Sequence, residues 1–193
     1  MISVIILAAG ESKRMRQPKM LLPWGEGTVL THVISVFQNA GLEDISVIVG
    51  GAREQVEEQV SNLGVKTIHN MDYLNGEMLS SIQCGIRALS RQTQATLIGL
   101  GDQPQVRERS VRMVCDAFVE TKSNIVVPSY KMRRGHPWLV ARPLWGDLLD
   151  MEHTQSPRDF LSSHQADIHH VNLDDPNILA DLDTPDDYRQ WRS

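Results

Sequence analysis

An almost unbroken apolar run near the start of the chain is the feature that most restricts its fold. The residues Ile2–Ala8 are apolar on both alternating sets of positions, apart from Ser3. A strand that is apolar on both sides needs cover on both faces, which is typical of a parallel strand between two helical layers. No basic segment precedes the run, so we interpret it as a central strand rather than as a secretory signal.

Strand and helix patterns alternate along the chain after this run. A helical pattern begins near Val29 and is expected to stop at Gly41. The further predicted strands are Ile45–Gly51, Val65–His69, Ala95–Gly99 and Ile125–Pro128, and the predicted helices between them are Arg53–Asn62, Met78–Leu89 and Val111–Phe118. This alternation predicts one α/β domain over residues 1–193, with a doubly wound, mainly parallel, Rossmann-like sheet.

The pattern weakens after Pro128. A short strand signal at Trp138–Val140 lies among weak helical patterns, which predicts a small antiparallel insertion on the sheet after the fifth strand. Near the end, Thr184 is expected to cap a last helix that starts at Pro185.

Composition excludes several classes of protein. With 19 basic and 24 acidic side chains the net charge is -5, which gives no basic excess for a nucleic-acid groove. The two cysteines, Cys84 and Cys115, lack the spacing of a zinc site or a disulfide framework, and no later run approaches the roughly 20 apolar residues of a membrane helix. We therefore expect a cytoplasmic protein that binds neither nucleic acid nor membranes.

Small residues and positive charges follow the first strand. Small side chains let backbone amides approach an anion, and four cations then lie within seven residues: Lys13, Arg14, Arg16 and Lys19. This loop and those after His69 and Leu100 should open on the same edge of a parallel sheet. The pattern predicts a polyphosphate site, and a solvated basic loop is the competing interpretation. Neither a Walker loop nor a dinucleotide fingerprint is present.

Several motifs together resemble one family. The segment Leu7-Ala8-Ala9-Gly10-x-Ser12-x-Arg14-Met15, followed by Lys19 and Leu21-Leu22-Pro23, is similar to the opening signature of nucleotidyltransferases related to the molybdenum cofactor cytidylyltransferases. The similarity continues in order through Gly101–Pro104, Arg134–Pro137 and Asp181–Tyr188. The resemblance implies a sheet of the nucleotide-diphospho-sugar transferase type.

The resemblance also implies which residues hold the nucleotide. The implied contacts are Leu7, Ala8, Ala9, Gly10, Ser12, Arg14, Lys19, Asn70, Ser80 and Ser81. Lys19, Arg14 and Asp102 would be catalytic, with Lys19 stabilising the transition state. A phosphate acceptor is already ionised at neutral pH, so its attack needs positioning and charge neutralisation more than a general base. The spacing within Gly76–Ser81 departs from the family's usual base-side loop.

Two carboxylates are the metal ligands that the resemblance implies. Asp102 follows a predicted strand and would hold Mg²⁺, which Mn²⁺ could replace, against phosphate oxygens. An Asx turn before Pro104 is the competing interpretation. Asp183 matches a second ligand position, and Asp181 could serve instead.

The acceptor side is assigned to a basic segment. Arg134 and His136, beside Arg133, would lie near the acceptor, whose terminal phosphate suits such a rim. His136 could equally brace its own loop.

The function that the resemblance implies is transfer of CMP from CTP to the terminal phosphate of molybdopterin cofactor, with release of pyrophosphate. The pair Ala8-Ala9 is closer to the cytidylyl branch than to the guanylyl branch, whose loop resembles Leu-Ala-Gly-Gly. Two alternatives stay open: the same chemistry on another phosphorylated acceptor, such as a sugar phosphate, and a carrier or chaperone that delivers cofactor without catalysis. A molybdenum hydroxylase or its chaperone would be a partner.

Overall fold

A computed structural model describes residues 1–10, 12, 15 and 17–192 of the chain. Arg14, predicted as a catalytic and nucleotide-binding residue, lies outside the described residues, as do Lys13 and Arg16. The strands are β1 (Ile2–Ala8), β2 (Pro23–Trp24), β3 (Gly27–Thr28), β4 (Ile45–Val49), β5 (Lys66–His69), β6 (Ala95–Leu100), β7 (Ile125–Tyr130), β8 (Arg133–Arg134), β9 (Trp138–Ala141) and β10 (Ile168–Asn172). The α-helices are α1 (Val29–Asn39), α2 (Arg53–Val60), α3 (Glu77–Arg87), α4 (Glu108–Thr121), α5 (Trp145–Leu149), α6 (Pro157–Ser163) and α7 (Pro185–Arg192).

The main sheet is mostly parallel, as the alternation predicts. Its strand order is β10-β7-β9-β6-β1-β4-β5, and β8 pairs with the end of β7. The parallel pairs are β1 with β4, β1 with β6, β4 with β5, and β7 with β10. A separate hairpin of β2 and β3 turns through Gly25, whose φ is +58°.

The antiparallel insertion lies inside the sheet rather than on it. Strand β9 pairs antiparallel with both β6 and β7, so it separates these two strands. All four of its residues are buried, and Trp138 and Leu139 point to opposite faces. A strand that is apolar on both sides belongs in the interior of a covered sheet, which explains its position.

Helices cover both faces of the sheet. On one face, β1 residues such as Val4 and Ile6 join a core with α1, α2 and α4. On the other, Ile5 and Leu7 join a core with α3, α5 and α6. The two faces of β1 are therefore both buried, as its apolar alternation requires.

This topology brings the functional loops together. The six parallel strands β1, β4, β5, β6, β7 and β10 end at one edge, and the antiparallel β9 begins there. We call this the carboxyl edge. Among the described residues, no helix has the length and apolar character needed to cross a membrane.

Candidate functional site

The ammonium group of Lys19 lies between two carboxylates from distant parts of the chain. Lys19 Nζ forms an ion pair with Asp102 Oδ2, and a second with Asp183 Oδ1 at 3.3 Å. The Lys19 and Asp102 side chains are only 13% and 15% exposed, whereas Asp183 is 38% exposed. Burial alone would lower the pKa of Lys19, but the two carboxylates outweigh burial and raise it. Lys19 therefore stays charged at neutral pH.

The segment that carries Asp183 is tied to the loop that carries Asp102. The Leu182 amide donates to the Asp102 carbonyl at 3.3 Å, and the buried side chain of Gln103 donates through Nε2 to Asp181 Oδ1 at 2.7 Å. Burial is the main cause that raises the pKa of Asp181, with the neighbouring carboxylates adding to it. Asp181 is thus engaged by Gln103, while Asp183 faces Lys19.

The start of the last helix orients Asp183 further. Asp187 Oδ2 accepts from the amides of Asp183 and Thr184, at 3.2 and 2.8 Å, and Thr184 Oγ1 accepts from the Asp187 amide at 3.2 Å. These reciprocal bonds form a capping box at the start of α7. The predicted cap by Thr184 is confirmed, and it fixes the backbone beside Asp183.

Two hydrogen bonds tie described residues at and after the end of β1 to the end of β6 and to Lys19. The Gly101 amide donates to the Leu7 carbonyl at 3.0 Å, which joins the ends of β1 and β6. Ser12, at a positive φ of 52°, accepts through Oγ from the Lys19 amide at 3.1 Å and so closes the loop on itself. Among the described residues, no atom outside its chain neighbours lies within 4 Å of a Cβ placed at Gly10.

A close approach on the other side of this loop depends on Gly50. A Cβ at Gly50 would overlap the carbonyl oxygen of Ala9 and lie 2.8 Å from the ring of Tyr73. The loops after β1, β4 and β5 therefore touch at this point. Ala8 is buried at the end of β1, immediately before the contact.

A buried polar cluster follows β5. Asn70 Nδ2 donates to Ser80 Oγ at 2.8 Å and to Ser81 Oγ at 3.0 Å, and all three side chains are buried. Asn70 Oδ1 accepts from the Asp72 amide, which holds the turn after the strand. The predicted base-side residues are thus brought together, at the first turn of α3.

The predicted acceptor residues lie on the other side of β6. Arg134 is exposed on β8, and the His136 amide donates to the Ile178 carbonyl at 3.0 Å. Enclosure by the surrounding protein lowers the pKa of His136 to about 4, because a charged ring there would lose its hydration. His136 is therefore neutral at pH 7 and does not itself supply charge to an anion.

Two residues at this edge were missed by sequence reasoning. Gln103 belongs to the motif that contains Asp102, but nothing local in the sequence signals its bond to Asp181. Gly50 was predicted as part of a strand, and nothing local in the sequence signals its contact with Ala9.

Comparison with known proteins gives one consistent result. The MobA-like NTP transferase domain model matches residues 4–168. The chain is 30% identical to the molybdenum cofactor cytidylyltransferase of Escherichia coli (strain K12), over 97% of this chain and 93% of the relative. It is also 30% identical to the bifunctional protein GlmU of Clostridium perfringens (strain ATCC 13124), over 62% of this chain but only 26% of that protein.

Solved structures agree with this result. Rv0371c of Mycobacterium tuberculosis H37Rv superposes with a TM-score of 0.85 at 28% identity, covering 98% of this chain and 96% of that one. A manganese complex of the same protein gives 0.82 at 26% identity, covering 99% and 97%. A nucleotidyl transferase from Methanothermobacter shares the fold, with a TM-score of 0.83 at 24% identity and coverage of 100% and 96%.

Proposed function

This chain belongs to the MobA-like NTP transferase family and is a nucleotidyltransferase, and we propose that it transfers CMP from CTP to the terminal phosphate of molybdopterin cofactor. In this reaction an acceptor phosphate oxygen bonds to the α-phosphorus of CTP. The bond from the α-phosphorus to the oxygen that bridges to the β-phosphate breaks, and pyrophosphate leaves. Similarity to a molybdenum cofactor cytidylyltransferase over almost the full length of both chains supports the assignment.

The observation that carries the proposal is the ion-paired group of Lys19, Asp102 and Asp183. Three segments that are far apart in sequence place one cation and two carboxylates in contact at the carboxyl edge. Ligands of open α/β sheets bind at that edge, beyond the ends of the strands. The adjacent residues Ala9 and Gly10 are small, and small residues let backbone amides approach an anion such as a phosphate.

The carboxylate pair also fits a divalent cation. Asp102 and Asp183 already share one positive charge, the Lys19 ammonium, so their oxygens are close enough to serve one cation. Within the described part of the chain, no group of three or more His, Cys, Asp or Glu side chains is placed to hold a metal. Mg²⁺ is commonly held by one or two carboxylates together with substrate phosphates and water. We propose that Asp102 and Asp183 hold Mg²⁺ or Mn²⁺, which would neutralise phosphate oxygens when bound.

The Lys19 ammonium would also contact the phosphate oxygens of the bound triphosphate. A divalent cation held by Asp102 and Asp183 would take the place of the Lys19 ammonium at these carboxylates, and the ammonium could then pair with phosphate oxygens. A fixed positive charge next to the α-phosphorus stabilises the charge that develops as pyrophosphate leaves. The Ser12 bond to the Lys19 amide holds the backbone of this residue in place meanwhile.

The base side is assigned to the loops after β1, β4 and β5. The Asn70, Ser80 and Ser81 cluster and the Ala9 contact with Gly50 lie on the side of β6 away from β9. The Ala8-Ala9 pair favours CTP over GTP, as its similarity to the cytidylyl branch implies.

The test is pyrophosphate release from each NTP in the presence of purified molybdopterin cofactor and Mg²⁺ or Mn²⁺. We expect release with CTP, and equal rates with CTP and GTP would contradict the base assignment. The variant Asp102→Asn should lower turnover at least about a hundredfold. Its matched control is Asp44→Asn, because Asp44 is also paired with a lysine but precedes β4, at the opposite edge.

A second acceptor class is the alternative that the sequence leaves open. Another phosphorylated metabolite, such as a sugar phosphate, could accept the same nucleotidyl group. A screen of phosphorylated acceptors for pyrophosphate release separates the two, and turnover with a sugar phosphate but not with molybdopterin would replace the first assignment.

A further inference from the structure

A cleft opens between the β7–β8 hairpin and the edge strand β10. It has a volume of about 290 Å³ and is lined by Ser129, Met132, Arg134, His170 and Asn172. That volume is at the lower end of the range for small-molecule sites. Ser129 and Asn172 are the carboxyl-end partners of β7 and β10, so the cleft lies at the carboxyl edge.

The lining combines hydrogen-bonding groups with one cation. The buried Ser129 hydroxyl donates to Asn172 Oδ1 at 2.7 Å, which fixes the amide and leaves its nitrogen as a further hydrogen-bond donor of a residue that lines the cleft. Arg134 is opposite Ser129 in the β7–β8 ladder and is exposed. The guanidinium is close enough to His170 to help lower the pKa of that ring, after burial. His170 is therefore largely neutral at pH 7, with one ring nitrogen able to donate and the other able to accept.

The tip of the hairpin adds an apolar surface beside these groups. Lys131 and Met132 both have positive φ, 48° and 66°, which defines the tight turn between β7 and β8. The turn leaves Met132 92% exposed, which is unusual for a large apolar side chain. A thioether packs well against the edge or face of an aromatic ring.

The cleft is separated from Asp102 by a defined distance along the sheet. Asp102 follows β6, and the order β6-β9-β7-β10 places the cleft two to three strands away. At a strand spacing of about 4.8 Å, this is roughly 10 to 14 Å. The residues proposed to bind the base lie on the other side of β6, in the loops that follow β1, β4 and β5.

We propose that this cleft binds the planar heterocyclic end of the acceptor, with His170, Asn172 and Met132 as recognition residues. The inference rests on the proposed function, and it assigns the pterin ring system rather than the phosphate to this place. The phosphate must reach the α-phosphorus near Lys19, so the far end of the acceptor extends along the sheet away from the nucleotide. The hydrogen-bond donors and acceptors on the edge of such a ring could pair with the Asn172 amide, the His170 imidazole and the Arg134 guanidinium. The face of the ring could pack against the exposed thioether of Met132.

The experiment uses 6-carboxypterin as the probe, followed by its own fluorescence with the full chain. We expect saturable binding, weakened about tenfold or more by His170→Ala and by Asn172→Ala, since each loses a hydrogen bond to the ring. The matched control is His169→Ala, because His169 is the adjacent position on β10 and points to the opposite face. CTP binding, measured in parallel, should be unchanged in all three variants, which shows that they are folded.

Each outcome separates the cleft from the catalytic proposal. Binding that is absent, or that His170→Ala and Asn172→Ala leave unchanged while CTP still binds, overturns the cleft assignment. Displacement of the probe by glucose 1-phosphate would also overturn it, because the cleft would then prefer a sugar phosphate. If the probe binds as expected but molybdopterin and CTP release no pyrophosphate, the cleft assignment stands and the proposed reaction fails.

Discussion

Replacing Lys19 with methionine tests the central contact of the site. Lys19→Met keeps an unbranched side chain of similar length but removes the charge between Asp102 and Asp183. The positive charge that these two carboxylates share is then lost. We expect the variant to be less stable than the wild type in EDTA, and to recover when a divalent cation is added.

The magnitude follows from distance and exposure. At the 3.3 Å separation between Lys19 Nζ and Asp183, Coulomb's law gives about 1 kcal/mol in a water-like medium and about 5 kcal/mol at an effective dielectric constant near 20. Asp183 is more than one-third exposed, so its pair lies near the lower value, and side-chain ordering offsets part of that. Asp102 is more buried, and leaving such a carboxylate without its partner has the larger effect. The sum is about 2 kcal/mol, or a fall in Tm of roughly 4 to 8 °C for a domain of this size.

The assay is thermal unfolding in EDTA and in excess Mn²⁺. Mn²⁺ should raise the Tm of Lys19→Met more than that of the wild type, because the ammonium no longer competes for the carboxylates. Turnover should nevertheless fall at least about a hundredfold even with the metal present.

The matched control is Lys66→Met, which removes an exposed pair with Asp44 at the opposite edge. We expect it to change stability by under about 1 kcal/mol, with no added response to Mn²⁺. If Lys19→Met is no less stable than Lys66→Met, and both respond equally to Mn²⁺, then Lys19 does not bridge a cation site and the reasoning is wrong.

Three further substitutions test other parts of the fold. Gly50→Ala should destabilise the protein by about 1 to 3 kcal/mol and weaken CTP binding, because the new methyl group overlaps the Ala9 carbonyl oxygen. The control Gly146→Ala meets no atom within 4 Å inside α5, so it should leave CTP binding unchanged and stabilise the protein by up to about 1 kcal/mol. Equal effects of the two substitutions would show that the approach of Ala9 to Gly50 does not restrict the side chain at position 50. Burial alone would lower the pKa of His164, but hydrogen bonds to the Phe160 carbonyl of α6 and to Asp147 raise it above its ordinary value. The protonated His164 ring therefore stabilises the fold fully below about pH 6.5, the ordinary pKa of histidine. This stabilisation is lost as the pH rises through the higher pKa that His164 has in the folded protein. His164→Gln should remove that pH dependence from urea midpoints, a contribution under about 1 kcal/mol, and an unchanged pH profile would contradict it. Gln83→Leu should lower the free energy of unfolding, measured by chemical denaturation, by about 2 kcal/mol. The buried Gln83 amide donates to the main-chain carbonyls of Leu148 and Met151 at 2.9 and 3.0 Å, and the variant leaves both without this donor. A decrease below about 0.5 kcal/mol would mean that those carbonyls find other partners.

The strands could be predicted from the sequence because burial leaves a local pattern. The two-sided apolar run Ile2–Ala8 can be satisfied only between two layers, and the structure places it there. Strand order leaves no such pattern. The sequence predicts a strand at Trp138–Val140, but the position of β9 between β6 and β7 depends on which edges remain unpaired after the parallel strands assemble. The apolar pattern of a four-residue strand does not show whether the strand pairs parallel or antiparallel with its neighbours.

The convergence of the candidate site residues was predictable from the order of strands and loops. Lys19 and Asp102 follow neighbouring parallel strands, so their loops had to meet at one edge, and the ion pair joins them. Gly50 and Gln103 act through contacts that only the assembled loops create. Gly50 matters because Ala9 and Tyr73 approach it, and neither is near it in sequence. Motifs therefore located the loops, while their mutual packing decided which further residues support them.

The position of β9 has a consequence for the size of the acceptor. If β7 paired directly with β6, the cleft at Arg134 and Asn172 would lie about 5 to 10 Å from the end of β6. With β9 between them, the separation is one strand spacing larger. An acceptor that fills the cleft and also presents a phosphate near Asp102 must therefore span about 10 Å or more. Inorganic phosphate and small phosphorylated metabolites are too short to use both ends, so the cleft would add affinity only for an acceptor with an extended ring system.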